Sequence, residues 1–201
     1  METDAADKVT YAELGSRPRL ALGFAVVGLA VGAVVALRLG EHPILAAWVY
    51  LAGLGVTLAY VDARTRLLPT RLIAPSYAVV VALVVVAGLV DDDQSPVIRA
   101  ALGWLVMGGF YFVMWFVYPR GLGYGDVRLS GLLGLALGYV GWGALVTGMY
   151  AGFVIGAVGG VLLALLGPGG RRHFAFGPFM LVGALVGLVW GPDVAEWYRS
   201  W

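Results

Sequence analysis

Apolar residues in this chain gather into long runs bounded by charge or by glycine and proline. Six runs approach the roughly 20 residues that a helix needs to cross a bilayer core: Leu20 to Leu37, Pro43 to Val61, Leu72 to Val90, Ala100 to Tyr118, Ala144 to Leu166 and Phe174 to Trp190. Between the fourth and the fifth of these lies a shorter, glycine-rich run, Leu129 to Val140, joined to its successor by Gly141-Trp142-Gly143. It reads as a partial span or as the start of a tilted one. The pattern predicts an all-α fold, a polytopic transmembrane helical bundle of about seven spans. A tail over 1–19 precedes a single membrane domain over 20–201.

Composition changes the picture only by naming the solvent. Hydrophobic residues make up 61% of the 201 residues and charged ones 12%, against about 45–50% and about 25% in soluble domains. Too few polar side chains remain to cover a soluble core, so a lipid bilayer is the principal partner. Charge then orients the bundle. When loops are assigned alternately to two sides, Lys8, Arg17, Arg19, Arg64, Arg66, Arg71, Arg120, Arg128, Arg171 and Arg172 fall on one side, and Arg38, Arg99 and Arg199 on the other. The basic side faces the cytoplasm by the positive-inside rule, which predicts a cytoplasmic N-terminus and a multi-pass protein of the cytoplasmic (inner) membrane. The tail carries Glu2, Asp4, Asp7 and Glu13, unlike the basic start of a signal peptide. A net charge of +1 offers no basic face for nucleic acid.

The chemical inventory is short. With no cysteine, disulfides, thiolate metal sites and thiol nucleophiles are excluded together. His42 lies in an outer loop and His173 in an inner one, so a Ser/His pair within the membrane lacks its base and no His-Glu-x-x-His zinc motif exists. Asp91-Asp92-Asp93 reads as a solvated outer loop, and no metal site or cofactor is expected. Gly148, Gly152, Gly156 and Gly160 recur on one helix face and read as a packing surface. Trp48, Trp104, Trp115 and Tyr118 read as packing or interfacial anchors.

Two carboxylates remain. Asp62 follows the second run and Asp126 opens the fifth in chain order, and alternation places both at the cytoplasmic ends of their spans. Two carboxyl groups sharing one site do not both ionise cheaply, so one can serve as base while the other, still protonated, serves as acid. The pair then titrates as a unit. Glycines at 123 and 125 allow tight backbone geometry and close approach of an extended substrate. If Asp126 lies in a first helical turn, the helix dipole favours its ionised form and the role of base. Read singly, Asp62 beside Arg64 and Arg66 is more often a solvated loop residue, and Asp126 is as readily a helix cap.

At these residues the chain resembles the type IV prepilin peptidases, membrane aspartyl proteases with a Gly-x-Gly-Asp motif. Asp62-Ala63-Arg64-Thr65-Arg66-Leu67-Leu68-Pro69 resembles the segment around the family's first aspartate, Gly123-Tyr124-Gly125-Asp126 the second, and Phe176-Gly177-Pro178-Phe179 a late segment in which Pro178 starts the last helix. The resemblance implies a peptidase domain over 20–201 in which Asp62 and Asp126 are catalytic, Gly123 and Gly125 shape the backbone at the substrate, and Arg128 and Arg66 give possible support. Arg128 stands where the family usually has lysine, which keeps the charge and changes its hydrogen-bonding geometry.

The implied substrate is a prepilin or pseudopilin precursor with a basic leader in the cytoplasm and a hydrophobic helix in the bilayer. Pilus or secretion assembly machinery is the implied partner. Longer family members carry a cysteine-containing segment and methylate the new N-terminus; that activity is not expected here. The alternatives are a proton-coupled membrane transporter, for which neither a mid-bilayer acid nor an inverted repeat is visible, and an inactive scaffold of a pilus or secretion machine.

Overall fold

A computed structural model describes residues 18–65, 68–119, 121–166 and 175–201. Arg66 and His173 lie outside the described residues, as does most of the predicted tail. The described residues form seven helices in chain order: α1 (Pro18–Leu39), α2 (Leu45–Thr65), α3 (Thr70–Val90), α4 (Ser95–Val117), α5 (Tyr124–Val140), α6 (Trp142–Leu166) and α7 (Gly177–Arg199). Six of them, all but α5, are long and apolar enough to cross a membrane. Their outward faces carry exposed large apolar side chains such as Leu29, Val86, Phe116 and Val161, as a lipid solvent requires.

The remaining helix, α5, explains the short run. α5 has 17 residues, about 25 Å of rise, and it is enclosed by protein: from Asp126 to Tyr139 every residue except Arg128 is buried. A helix apolar all round belongs to a core. Leu129, Leu132, Leu133, Ala136 and Leu137 fill the centre of the bundle, with α3, α4, α6 and α7 around them. α1 is the peripheral element, packed on α2 and α7 and largely exposed.

Backbones meet closely at two interfaces. Between α4 and α5, a Cβ added to Gly103 would stand 2.4 Å from the Gly134 carbonyl oxygen, and one added to Gly138 2.7 Å from that of Arg99. Between α6 and α7, Gly148 and Gly152 meet Gly183, and Gly156 receives the Phe176 ring, so this face of α6 is a packing surface. Gly103→Ala is expected to weaken the fold by about 1–3 kcal/mol, seen as a lower midpoint of thermal aggregation in detergent. Gly109→Ala, on the same helix with nothing within 4 Å of the new methyl, is the control and leaves the midpoint unchanged.

The end of the bundle that holds the α3–α4 connection is fastened by polar contacts. Arg99 donates to the carbonyls of Gly138 (2.8 Å) and Tyr139 (2.6 Å), the Tyr139 hydroxyl donates to Asp91 at 2.8 Å, and Arg38 pairs with Asp193 at 3.0 Å. Asp93 accepts from the Ser95 backbone N–H at 2.8 Å, a contact that holds its carboxyl below the usual carboxylate range. The acidic run therefore serves as a clasp and a helix cap between α3, α4 and α5.

Candidate active site

The opposite end of the bundle gathers the last turn of α2 and the first turns of α3, α5 and α7. Asp62 belongs to the last turn of α2 rather than to a loop beyond it, and is 4% exposed. Asp126 is the third residue of α5 and is 7% exposed. Charged side chains so deep in a bundle are rare unless something engages them. Here each carboxylate is engaged by a glycine amide.

The Gly177 N–H, at the start of α7, donates to Asp62 Oδ2 at 3.0 Å. The Gly123 N–H, just ahead of α5, donates to Asp126 Oδ2 at 3.1 Å, while the Asp126 N–H returns a 3.0 Å bond to the Gly123 carbonyl. Both acids thus sit where a helix presents unsatisfied N–H groups and the positive end of its dipole. Asp62 and Asp126 bear on each other electrostatically. Asp126 Oδ1 is buried and has no hydrogen-bond partner among the described residues.

Glycine is required at these places because of close approach. A Cβ on Gly177 would lie 2.7 Å from Asp62 Oδ2, and one on Gly123 3.1 Å from Asp126 Oδ2. Gly125 serves a different purpose. Its Cβ would lie 2.7 Å from that of Leu68, so the absence of a side chain lets the α2–α3 connection rest on the first turn of α5. Leu68 also reaches within 3.4 Å of the position a Gly177 Cβ would take. One leucine, six residues past Asp62, therefore abuts both glycine-led helix starts, and Pro69 beside it leads directly into α3.

Arg128 is placed elsewhere than beside the carboxylates. Its guanidinium donates to Thr70 Oγ1, lies 4.6 Å from the Tyr124 ring centroid, and its carbonyl accepts from the Tyr77 hydroxyl at 2.7 Å. It fastens α5 to α3. Among the described residues no ion pair links it to either aspartate.

Sequence reasoning missed three participants. The Gly177 amide was visible only as the residue before a helix-starting proline; its contact spans 115 positions. Leu68 read as a motif residue without a task. Tyr111 in α4 carried no signal within an apolar run, yet it is fully buried, stacks on Phe153 with ring centroids 5.4 Å apart, lies 6.0 Å from Phe176, and is within electrostatic reach of Asp126. Among the described residues no group of three His, Cys, Asp or Glu side chains converges as a metal set would.

Comparison with known proteins adds ancestry to this geometry. The chain is 30% identical over 151 residues to the prepilin leader peptidase/N-methyltransferase of Aeromonas salmonicida, covering 72% of this chain and 49% of that one. It is 31% identical over 138 residues to the protein of the same name from Escherichia coli, covering 66% and 58%, and 24% identical over 164 residues to that of Legionella pneumophila, covering 77% and 52%. The chain spans about half the length of the curated relatives it matches. No solved structure matches it. The sequence pattern of the type IV leader peptidase family matches residues 48–191, a stretch that holds both glycine-bound aspartates and the α7 start that secures one of them, and the chain belongs to that family.

Proposed function

We propose that this protein is a membrane aspartyl endopeptidase that removes the basic leader of prepilin-like precursors at the cytoplasmic face, with Asp62 and Asp126 as its catalytic pair. The observation that carries the reading is the meeting of two buried, mutually interacting carboxylates, 64 positions apart in the chain, at one end of the bundle. Family membership supports it. The ionised partner takes a proton from water as the oxygen attacks the scissile carbonyl. The protonated partner hydrogen-bonds the developing oxyanion and then protonates the departing amine. Each Oδ2 is held by a glycine N–H, which fixes the carboxyl planes while the pair exchanges its proton.

An apolar groove of about 540 Å³ between α1, α2 and α7 supports the substrate class. Phe24, Val27, Leu51, Gly55 and Leu181 line it, and Ala59, Tyr60 and Pro178 carry it to the neighbours of Asp62 and Gly177. A precursor's hydrophobic helix lying there brings its leader junction to the carboxylates. Arg64, Arg71 and Arg128 at that end fit a cytoplasmic orientation. Methyl transfer is not part of the proposal, since the 201 residues contain no cysteine. Pilus or secretion machinery is the assembly such a product would enter.

The test is processing in reconstituted vesicles of a precursor with a basic leader and one hydrophobic helix, followed by N-terminal sequencing. A single cut at the leader junction is expected. Intact precursor after incubation, when a relative of known activity cleaves it in the same vesicles, would overturn the proposal.

A further inference from the structure

Two buried polar atoms near the pair lack partners among the described residues, and they are complementary: Tyr111 Oη, a donor, and Asp126 Oδ1, an acceptor. The third such atom, Trp48 Nε1, lies in the first turns of α2, far from Asp62 in the last turn. Burial of an unpaired hydroxyl is costly, and phenylalanine would fill the same space without it. The ring is set from several sides, stacked on Phe153 of α6, edge-on to Phe110, and 6.0 Å from Phe176, the residue before the amide that binds Asp62. Gly123 occupies Asp126 Oδ2, so the other oxygen is the one open to a donor.

We propose that Tyr111 is a positioning residue of the aspartate pair: with substrate bound, its hydroxyl donates to Asp126 Oδ1 and fixes the plane of that carboxyl against the scissile bond. The inference rests on the peptidase reading above. Phe176 and Gly177 then couple the two halves of the site, because the Phe176 ring packs on the Tyr111 and Phe153 rings and the backbone N–H of the next residue holds Asp62. Among the described residues few other charges face the pair. Asp62 on α2 bears on Asp126, Arg64 lies over the Tyr60 ring, Arg128 is turned to Thr70, and Tyr77 of α3 meets the Arg128 carbonyl. α4 brings only Tyr111 to this end, and α6 and the inner half of α7 have no Asp, Glu, Lys, Arg or His.

The test uses the full chain in vesicles with a leader-bearing precursor peptide. Tyr111→Phe keeps the ring and is expected to lower kcat about tenfold with KM unchanged. A donor to a carboxylate favours its charged form, so the acidic limb of the kcat profile moves to higher pH. Replacement of Tyr111 by 3,5-difluorotyrosine, which has the same shape and a stronger donor, moves that limb the other way. Wild-type kcat in Tyr111→Phe, or limbs that stay in place in both variants, overturns the inference while leaving the peptidase reading intact. Infrared difference spectra on adding the peptide give a readout without turnover. The carboxyl band lost in Asp126→Asn is expected to shift in wild type and not in Tyr111→Phe, and equal shifts in both overturn the proposal even if no cleavage is seen.

Discussion

Asp62→Asn and Asp126→Asn are each expected to lower precursor cleavage by about 10³-fold or more while leaving the protein folded and monodisperse in detergent. The substitutions isolate chemistry from architecture. Each aspartate accepts a backbone N–H through Oδ2, from Gly177 in one case and Gly123 in the other, and an asparagine oxygen can accept the same bond in the same place. What asparagine cannot do is take up or release a proton. In the proposed mechanism the two carboxyls act as one proton-sharing unit, so the double variant should be no worse than either single one. The wild-type rate should follow a bell-shaped pH profile whose two limbs belong to the pair. Cleavage by either single variant at the wild-type rate, in vesicles containing equal protein, removes that aspartate from the mechanism.

Hydropathy made the bundle legible because most helices must satisfy lipid, and lipid demands length. Runs near 20 apolar residues mapped onto six helices with shifts of a few residues at most ends. The exceptions obey other rules. The run Leu129 to Val140 is the visible part of α5, which starts at Tyr124; its first five residues include Asp126 and Arg128, and a search for lipid-facing length passes over such residues. Enclosed by protein, α5 has no need to span. α7 starts at Gly177 and runs beyond Trp190 to Arg199, because Asp193 pairs with Arg38 of α1 and the charged turn is held against the bundle. The two aspartates could be placed at one depth from alternation alone. Their partners could not: the Gly177 amide is an event of tertiary structure, and spacing has no means of foretelling it. Arg128 shows the same limit from the other side, since a cation two residues from Asp126 looks like its partner until the helix turns it toward Thr70 and Tyr124.

The glycines beside the acids should be nearly as intolerant as the acids themselves, through geometry instead of proton transfer. In Gly125→Ala the new methyl would stand 2.7 Å from Leu68 Cβ, and in Gly177→Ala it would stand 2.7 Å from Asp62 Oδ2, so something must move in both. In the first, the α2–α3 connection and the start of α5 separate, which alters the placement of Asp62 relative to Asp126. In the second, the carboxylate withdraws from the amide that holds it. A displacement near 1 Å is enough to lower an enzymatic rate by about 10²-fold, and that is the expected loss of cleavage in each variant. Gly53→Ala, on the same helix as Asp62 with nothing within 4 Å of the added methyl, should cleave at the wild-type rate. The cause can be separated from general damage by a compensating change. Leu68→Gly removes the atom that the Gly125→Ala methyl meets first, leaving the Leu68 carbonyl oxygen at 3.4 Å as the next contact. The double variant should therefore recover a large part of the activity lost in Gly125→Ala, and the same Leu68→Gly change should leave Gly177→Ala as impaired as before, since there the obstacle is the carboxylate. Equal loss in Gly125→Ala with and without Leu68→Gly would mean that the two segments do not owe their alignment to this contact.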